Sequence, residues 1–293
     1  MGLAQWFEKF CGNTQVADGG TISARYKRIT KRLNLDFWKT DSETTHSLYA
    51  GSYGRGTAIK GFSDLDMVFE LPNATYHQYK AHAGNGPSAL LQVVKNSMKG
   101  TYPTTEIGGD GQVAVVEFTD NLKFEVLPAF LNADNTSYTY PDSNDGGSWK
   151  STNPRAEINA IRLRNAACNA NLVPLCRMMR AWKREWSVAI GGLLIDTLAY
   201  QFIETWGHRD KSYLYYDFMC RDFFKYVSDQ SETQNFWRAP GSGANAYGGG
   251  FQYKAKRCYN ISLEAIAYET VTPKKEYSAK QKWREIFGIA FPD

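Results

Sequence analysis

Gly51-Ser52-Tyr53-Gly54-Arg55-Gly56-Thr57 is followed, after a short basic loop, by Ser63-Asp64-Leu65-Asp66. A Gly-rich turn able to hold phosphates thus stands just ahead of two carboxylates able to hold a metal. From here the apolar Leu65, Met67, Phe69 and Leu71 alternate with Asp64, Asp66, Val68 and Glu70. Successive strand side chains point to opposite faces, so the spacing predicts a strand with its apolar set in the core. Both aspartates then emerge on the other face, ~7 Å apart along the strand. Two carboxylates at that range repel each other, and a divalent cation bridging them turns repulsion into attraction. Magnesium suits such a pair, because it binds through one or two carboxylates plus substrate phosphates and keeps some of its water.

Either half of this pattern alone is weak. A bare D-x-D is most often a polar turn before an edge strand, and a Gly/Ser stretch is most often a flexible connector. Adjacency carries the reading, since a connector has no reason to lead into a strand with two solvent-side aspartates. Gly51, Gly54 and Gly56 let the main chain approach a ligand closely, and Ser52 and Thr57 add hydroxyls. A helix beginning near Tyr53 presents free N–H groups to a triphosphate. No Gly-Lys-Ser/Thr closes the loop, so it is not a P-loop.

These residues resemble the DNA-polymerase-beta-like nucleotidyltransferases, whose signature is G-S, then G-T, then a D-x-D strand. Within that superfamily the chain is similar to the branch of oligoadenylate synthetase, cyclic GMP-AMP synthase and the bacterial CD-NTases. Lys123-Phe124-Glu125-Val126-Leu127-Pro128-Ala129-Phe130 resembles the strand that supplies the third metal-binding carboxylate. Thr152-Asn153-Pro154 resembles the start of the helical half, and the run from Leu175 to Lys183 the helix that meets the donor triphosphate. Pro240-Gly241-Ser242-Gly243 and the ending from Lys282 to Gly288 resemble bacterial CD-NTases in particular.

The resemblance implies an α+β fold: a polymerase-beta-like nucleotidyltransferase lobe, with a mixed sheet and flanking helices, plus a mainly helical C-terminal lobe. It places the active site in the cleft between them. It implies Asp64, Asp66 and Glu125 as the catalytic, metal-binding carboxylates, with Gly51, Ser52, Arg180 and Lys183 binding nucleotide. There are two departures. The third carboxylate is usually an aspartate, and Arg180 stands where lysine is common, exchanging a compact point charge for a planar fork. Strand parity supports Glu125, because Lys123, Glu125 and Leu127 face away from Leu122, Phe124 and Val126. The run Val113-Ala114-Val115-Val116-Glu117 offers Glu117 as a competitor.

At 293 residues the chain has room for two lobes. The expected division is 1–145, an N-terminal helix with the catalytic lobe, and 146–293, the helical lobe, with Pro141 to Ser148 as linker. Thr21 is expected to cap a helix carrying Ile22, Tyr26, Ile29 and Leu33 on one stripe. Pro87 opens another with Leu90, Val94 and Met98 inside. Asp110-Gly111 and Thr119-Asp120-Asn121 read as turns leading to the Glu125 strand. In the second half Leu175, Met178, Met179 and Trp182 form a core stripe opposite Arg177, Arg180 and Arg184, of which one or two cations are expected to reach phosphate. Ser278-x-x-Gln281 reads as a capping box. Pro240 to Gly250 reads as a surface loop or lid, and the aromatics from Tyr213 to Tyr226 mainly as core.

Hydrophobic content of 43% and charged content of 22% are those of an ordinary soluble globular protein. The net charge of +4 fits a focal triphosphate pocket better than a long duplex-binding track. No apolar run approaches ~20 residues and no signal-peptide pattern opens the chain, so a cytoplasmic location away from membranes is expected. Five cysteines without a C-x-x-C pair read as reduced thiols, and four histidines show no zinc spacing.

The expected reaction is transfer of a nucleoside monophosphate from a donor NTP to a ribose hydroxyl, with two Mg²⁺ ions, Mn²⁺ able to substitute, and pyrophosphate leaving. By resemblance, ATP or GTP serves as substrate, and repeated transfer closes a cyclic di- or trinucleotide. A downstream effector protein reads it in anti-phage (CBASS) signalling, and no duplex nucleic acid is obligatory. A small-molecule nucleotidyltransferase, a template-free RNA-tailing enzyme and an inactive nucleotide-binding module are the alternatives.

Overall fold

The computed structural model describes residues 2–16, 19–61 and 64–293, so Ser63 lies outside the described residues. Two compact units form, each discontinuous in sequence: residues 19–55 with 64–158, and residues 2–16 with 56–61 and 159–293.

The first unit is built on a sheet of seven strands, β1 (Ser47–Tyr49), β2 (Leu65–Glu70), β3 (Glu106–Asp110), β4 (Val113–Glu117), β5 (Lys123–Leu131), β6 (Tyr138–Asp142) and β7 (Ser148–Thr152). The order is β1-β2-β5-β4-β3, with β6 on β5 and β7 on β6. β2 and β5 run parallel while the other neighbours run antiparallel, which makes the sheet mixed as expected. Leu65, Met67 and Phe69 are buried, as the alternation requires. The opposite face is not open along its length, however, because Val68 is buried among Ala50, Ala129 and Tyr138. Solvent reaches this face at its two ends, where Asp66 and Glu70 are half-buried, and Asp64, just before the strand, is exposed.

The long helix α2 (Gly19–Leu33) buries Ile22, Tyr26, Ile29 and Leu33, and Tyr26 stacks on Tyr49 of β1 with ring centroids 3.9 Å apart. It begins at Gly19, so Thr21 lies inside its first turn instead of capping it. After β1 comes the single turn α3 (Gly51–Gly54), and after β2 come α4 (Asn73–Lys80) and α5 (Gly86–Lys99). Asn85 caps α5 by accepting a 2.9 Å hydrogen bond from the Ser88 N–H, with Pro87 in the first turn and Leu90, Val94 and Met98 buried. The stretch expected as a linker is instead the tip of the β6–β7 hairpin, whose ladder runs from Tyr138↔Thr152 to Asp142↔Ser148. The break expected at 145–146 therefore falls inside a hairpin. Its polar residues satisfy a turn, and backbone pairing keeps both arms with the sheet.

The second unit gathers α1 (Leu3–Thr14), most of α6 (Pro154–Ala167), α7 (Leu172–Glu185), α8 (Gly192–Thr205), α9 (Tyr216–Ser228), α10 (Gln252–Thr270) and α11 (Glu276–Phe287). The N-terminal helix belongs here because its aromatic stripe finds its partner at the other end of the chain. Phe7 meets Trp283 edge-on at 5.2 Å, and Phe10 lies 4.7 Å from Phe287. Each such burial contributes about 1.5–3 kcal/mol. Helix α11 starts at Glu276 behind Lys275, which puts Ser278 inside the helix and not at its cap. Pro240 to Gly250 forms the turn and second arm of a small hairpin between β8 (Phe236–Arg238) and β9 (Asn245–Tyr247). Tyr216, Phe223 and Phe224 are core residues, and all five cysteines are buried free thiols. Among the described residues no helix is long and apolar enough to cross a membrane.

Candidate active site

Strand register brings two of the three predicted carboxylates together. In the parallel pair β2–β5, Asp66 stands opposite Glu125, with Leu65 opposite Phe124 and Met67 opposite Val126. Period-two alternation then puts both acids on one face. Glu117 lies one strand further out, paired with Lys123 across β4–β5, and is exposed. Burial pushes the Asp66 carboxyl up to about 6, Glu125 adds to the rise, Arg55 opposes it and Asp64 raises it further. Like charges sharing one site produce this pattern.

Two cations that the motifs do not single out stand near these acids, one bonded to them and one acting on Asp66 through its charge. Lys123, two residues before Glu125, donates to its Oε1 at 2.7 Å and lies 3.8 Å from Asp64 Oδ2. The Glu125 hydrogen bond raises the Lys123 ammonium above its ordinary value. Arg55, the arginine inside the glycine motif, is buried and donates to Glu157 Oε2 at 2.9 Å. Alternation in Lys123-Phe124-Glu125 was the available signal for the first. Nothing local pointed to Glu157.

The glycine turn is fitted to Asp66 directly. The Ala50 N–H donates to the Asp66 carbonyl at 2.8 Å, and Gly51 follows with φ +53°. A Cβ on Gly51 would lie 1.7 Å from Asp66 Oδ2, and one on Gly54 would lie 2.4 Å from the Tyr49 carbonyl oxygen. Only glycine allows the backbone this close. Gly51→Ala is therefore expected to expel the Asp66 side chain and to cut turnover at least about a hundredfold, more than loss of any hydroxyl in the loop. Steady-state pyrophosphate release checks it, and an unchanged rate would separate the turn from the reaction.

Thr57 has a different task from the one its motif suggests. It is fully buried and donates to Asp196 Oδ2 at 2.8 Å, inside the helical unit. Asp196 also receives the Arg180 guanidinium, which bonds Asp196 Oδ2 at 2.9 Å and the Gly192 carbonyl at 3.0 Å. Arg177 Nε donates to the Gly56 carbonyl at 3.1 Å. The distal end of the glycine motif is thus anchored on α7 and α8 by a buried network. Removing one partner of such a buried pair costs about 3–5 kcal/mol, which makes Arg180 a residue of stability. Lys183, one turn further along α7, is half-buried, and burial together with Arg180 holds its ammonium below the ordinary value. Asp196 gave one sequence signal, as a lone acid in the apolar run from Leu193 to Phe202.

Among the described residues no three acidic, histidine or cysteine side chains form a ready-made coordination group. The Lys123 ammonium is the cation between Asp64 and Glu125. The site nevertheless fits a hard divalent cation. Its donors are carboxylate oxygens only, their charges repel, and an ammonium already neutralises two of them.

A glycine turn pressed against Asp66 on β2, with Asp64 just ahead of that strand and Glu125 opposite on a parallel one, defines a nucleotidyltransferase of the polymerase-beta-like class. The profile of the Second Messenger Oligonucleotide or Dinucleotide Synthetase domain matches residues 1–165, and the chain belongs to this family. It is thus an enzyme that builds a nucleotide second messenger. It is 24% identical over 338 residues to a probable cyclic nucleotide synthase of Bacillus cereus (strain VD146), spanning 98% of this chain and 96% of the relative. The fold is similar to CdnC of E. coli MS115-1, solved with HORMA-deltaN, at TM-score 0.71 and 12% identity, over 99% and 98% of the two chains. It is also similar to Vibrio cholerae DncV, at TM-score 0.67 and 14% identity, over 84% of this chain and 69% of that one. The CdnE c-di-GMP synthase of Capnocytophaga granulosa matches at TM-score 0.64 and 13% identity, over 91% and 85%.

Proposed function

We propose that the protein joins free NTPs, without template or primer, into a cyclic di- or trinucleotide, releasing pyrophosphate at each transfer. The observation that carries this reading is the register of Asp66 with Glu125 beside the Gly51 turn. Asp64, Asp66 and Glu125 would hold two Mg²⁺ ions, for which Mn²⁺ could substitute. When bound, such ions make a ribose hydroxyl more acidic and neutralise the departing pyrophosphate. The chain's own groups do the rest. Gly51 and Ser52 seat the donor phosphates by close backbone approach, Arg55 sustains the charge on Asp66, and Lys123 holds Glu125 in place beside it. Lys183 supplies positive charge to the triphosphate in preference to Arg180, whose guanidinium is committed to Asp196.

ATP and GTP are the first substrates to try, since the structures of similar fold include CdnC with ATP and DncV with GTP or 3′-deoxy ATP. We further propose that the enzyme acts in the cytoplasm in CBASS signalling, and that an effector protein reads its product. Incubation with labelled NTPs and Mg²⁺, followed by phosphatase and mass analysis, is expected to leave a short resistant product, because ring closure removes the terminal phosphate. A requirement for an RNA primer would favour an RNA-tailing enzyme. A nucleotidylated small molecule in place of an oligonucleotide would favour the other alternative.

A further inference from the structure

Two acids of the candidate centre, Glu125 and Asp64, share one ammonium. Lys123 Nζ lies 2.7 Å from Glu125 Oε1 and 3.8 Å from Asp64 Oδ2. The backbone fixes this meeting. Lys123 and Glu125 are two residues apart on β5, so strand alternation gives them one face. The β2–β5 register pairs Leu65 with Phe124, and one step earlier it brings Asp64 alongside Lys123. Phe124 and Val126 are buried on the other side of the strand and hold that parity in place. The positive charge is therefore as much a part of the strand as the carboxylate of Glu125.

Stability does not explain it. The Lys123 side chain is 29% exposed and that of Asp64 53%, and ion pairs this close to water contribute little to folding. A lysine here also had another acid within reach. Across β4–β5 it stands directly opposite Glu117, an exposed residue on the same face, which could have neutralised it at the edge of the centre. The ammonium lies instead on two of the acids proposed to hold divalent ions. An ammonium and a divalent ion draw on the same carboxylate oxygens, and over the few ångströms between them they repel each other.

We infer that Lys123 is a built-in counter-ion that sets the divalent-cation affinity of the centre: its ammonium competes for Glu125 Oε1 and Asp64 Oδ2, so ions bind the enzyme more weakly than the three acids alone would bind them. The inference rests on the assignment of Asp64, Asp66 and Glu125 as metal ligands. Lys123 acts through those acids and is a positioning residue.

The test is Mn²⁺ binding to the full chain without nucleotide, read from the electron paramagnetic resonance signal of the free ion after chelation and dialysis. Lys123→Gln and, independently, Lys123→Met remove the charge while keeping an unbranched side chain, and each is expected to bind Mn²⁺ at least about tenfold more tightly than wild type. Lys123→Arg keeps the charge and is expected to stay within about threefold of wild type. A lysine that served only the packing of the strand would leave Mn²⁺ affinity unmoved in all three. Unchanged, weaker or undetectable binding in Lys123→Gln and Lys123→Met, or equal tightening in Lys123→Arg, would overturn the inference. Adding Asp64→Asn and Asp66→Asn to Lys123→Gln is expected to abolish the tight binding. Tight binding that survives those changes would show that the metal centre itself is misassigned, a failure separate from that of Lys123.

Discussion

Asp64→Asn together with Asp66→Asn is expected to abolish product, a loss of roughly a thousandfold or more, in a protein that stays folded. The carboxamides keep the shape of both side chains and remove the charges that attract divalent cations, so substrate positioning survives without neutralisation of the leaving group. Stability is expected to move the other way. Asp66 titrates at about 6 in the folded protein against 3.8 for the free carboxyl. Between those values the native state keeps a proton that the unfolded chain has released, so metal-free stability falls as pH rises from about 4 to about 6. Above that window the penalty is complete, on the order of 1–3 kcal/mol. Asp66→Asn removes it, and a melting series in chelator across this range should be flatter in the variant. Divalent cation should restore wild-type stability above pH 6 and leave the double variant unmoved. A folded double variant with full turnover would eliminate the proposed centre.

The second large effect separates two glutamates. Glu125→Gln should depress turnover at least about a hundredfold, and Glu117→Gln should leave it within about twofold. The reason is register. Glu125 is the residue opposite Asp66, raises its proton affinity and holds Lys123, whereas Glu117 sits on the next strand in an exposed position. Divalent-cation titration of the folded variants supplies a second readout, because only the Glu125 change alters the charge beside Asp66. The reverse ranking would move the third ligand to Glu117, and two small effects would mean that Asp64 and Asp66 suffice.

Much of this site was legible as local pattern. Alternation in Leu65 to Leu71 announced a strand with Asp66 on one face, and the Ile22-Tyr26-Ile29-Leu33 stripe announced a helix, because both periodicities follow directly from backbone geometry. Pro87 and Asp110-Gly111 marked the start of a helix and a turn for reasons of φ alone. Caps are less legible. Thr21 and Ser278 have the right chemistry, but the helices already include Gly19 and Glu276, two residues upstream of each.

What depends on distant residues was hidden. The linker-like Pro141 to Ser148 is a hairpin because Tyr138 and Thr152 pair across it, and no composition rule reports pairing. The basic residues Arg25, Lys27, Arg28 and Lys31 line a cavity of about 1090 Å³ with Tyr102 and Phe118, a local concentration that a net charge of +4 averages away. Thr57 and Arg180 carry phosphate-binding chemistry in any sequence reading, yet Asp196, 139 and 16 residues away, takes both side chains into a buried network. The sequence by itself determined the strand that presents Asp66, the glycines that let backbone touch it and the residue types of the reaction, since these depend on neighbours along the chain. Only tertiary structure decided that Glu125 is Asp66's partner, that Lys123 stands between the acids and that Phe7 belongs with Trp283, since each is a pairing between segments that covalent order leaves apart.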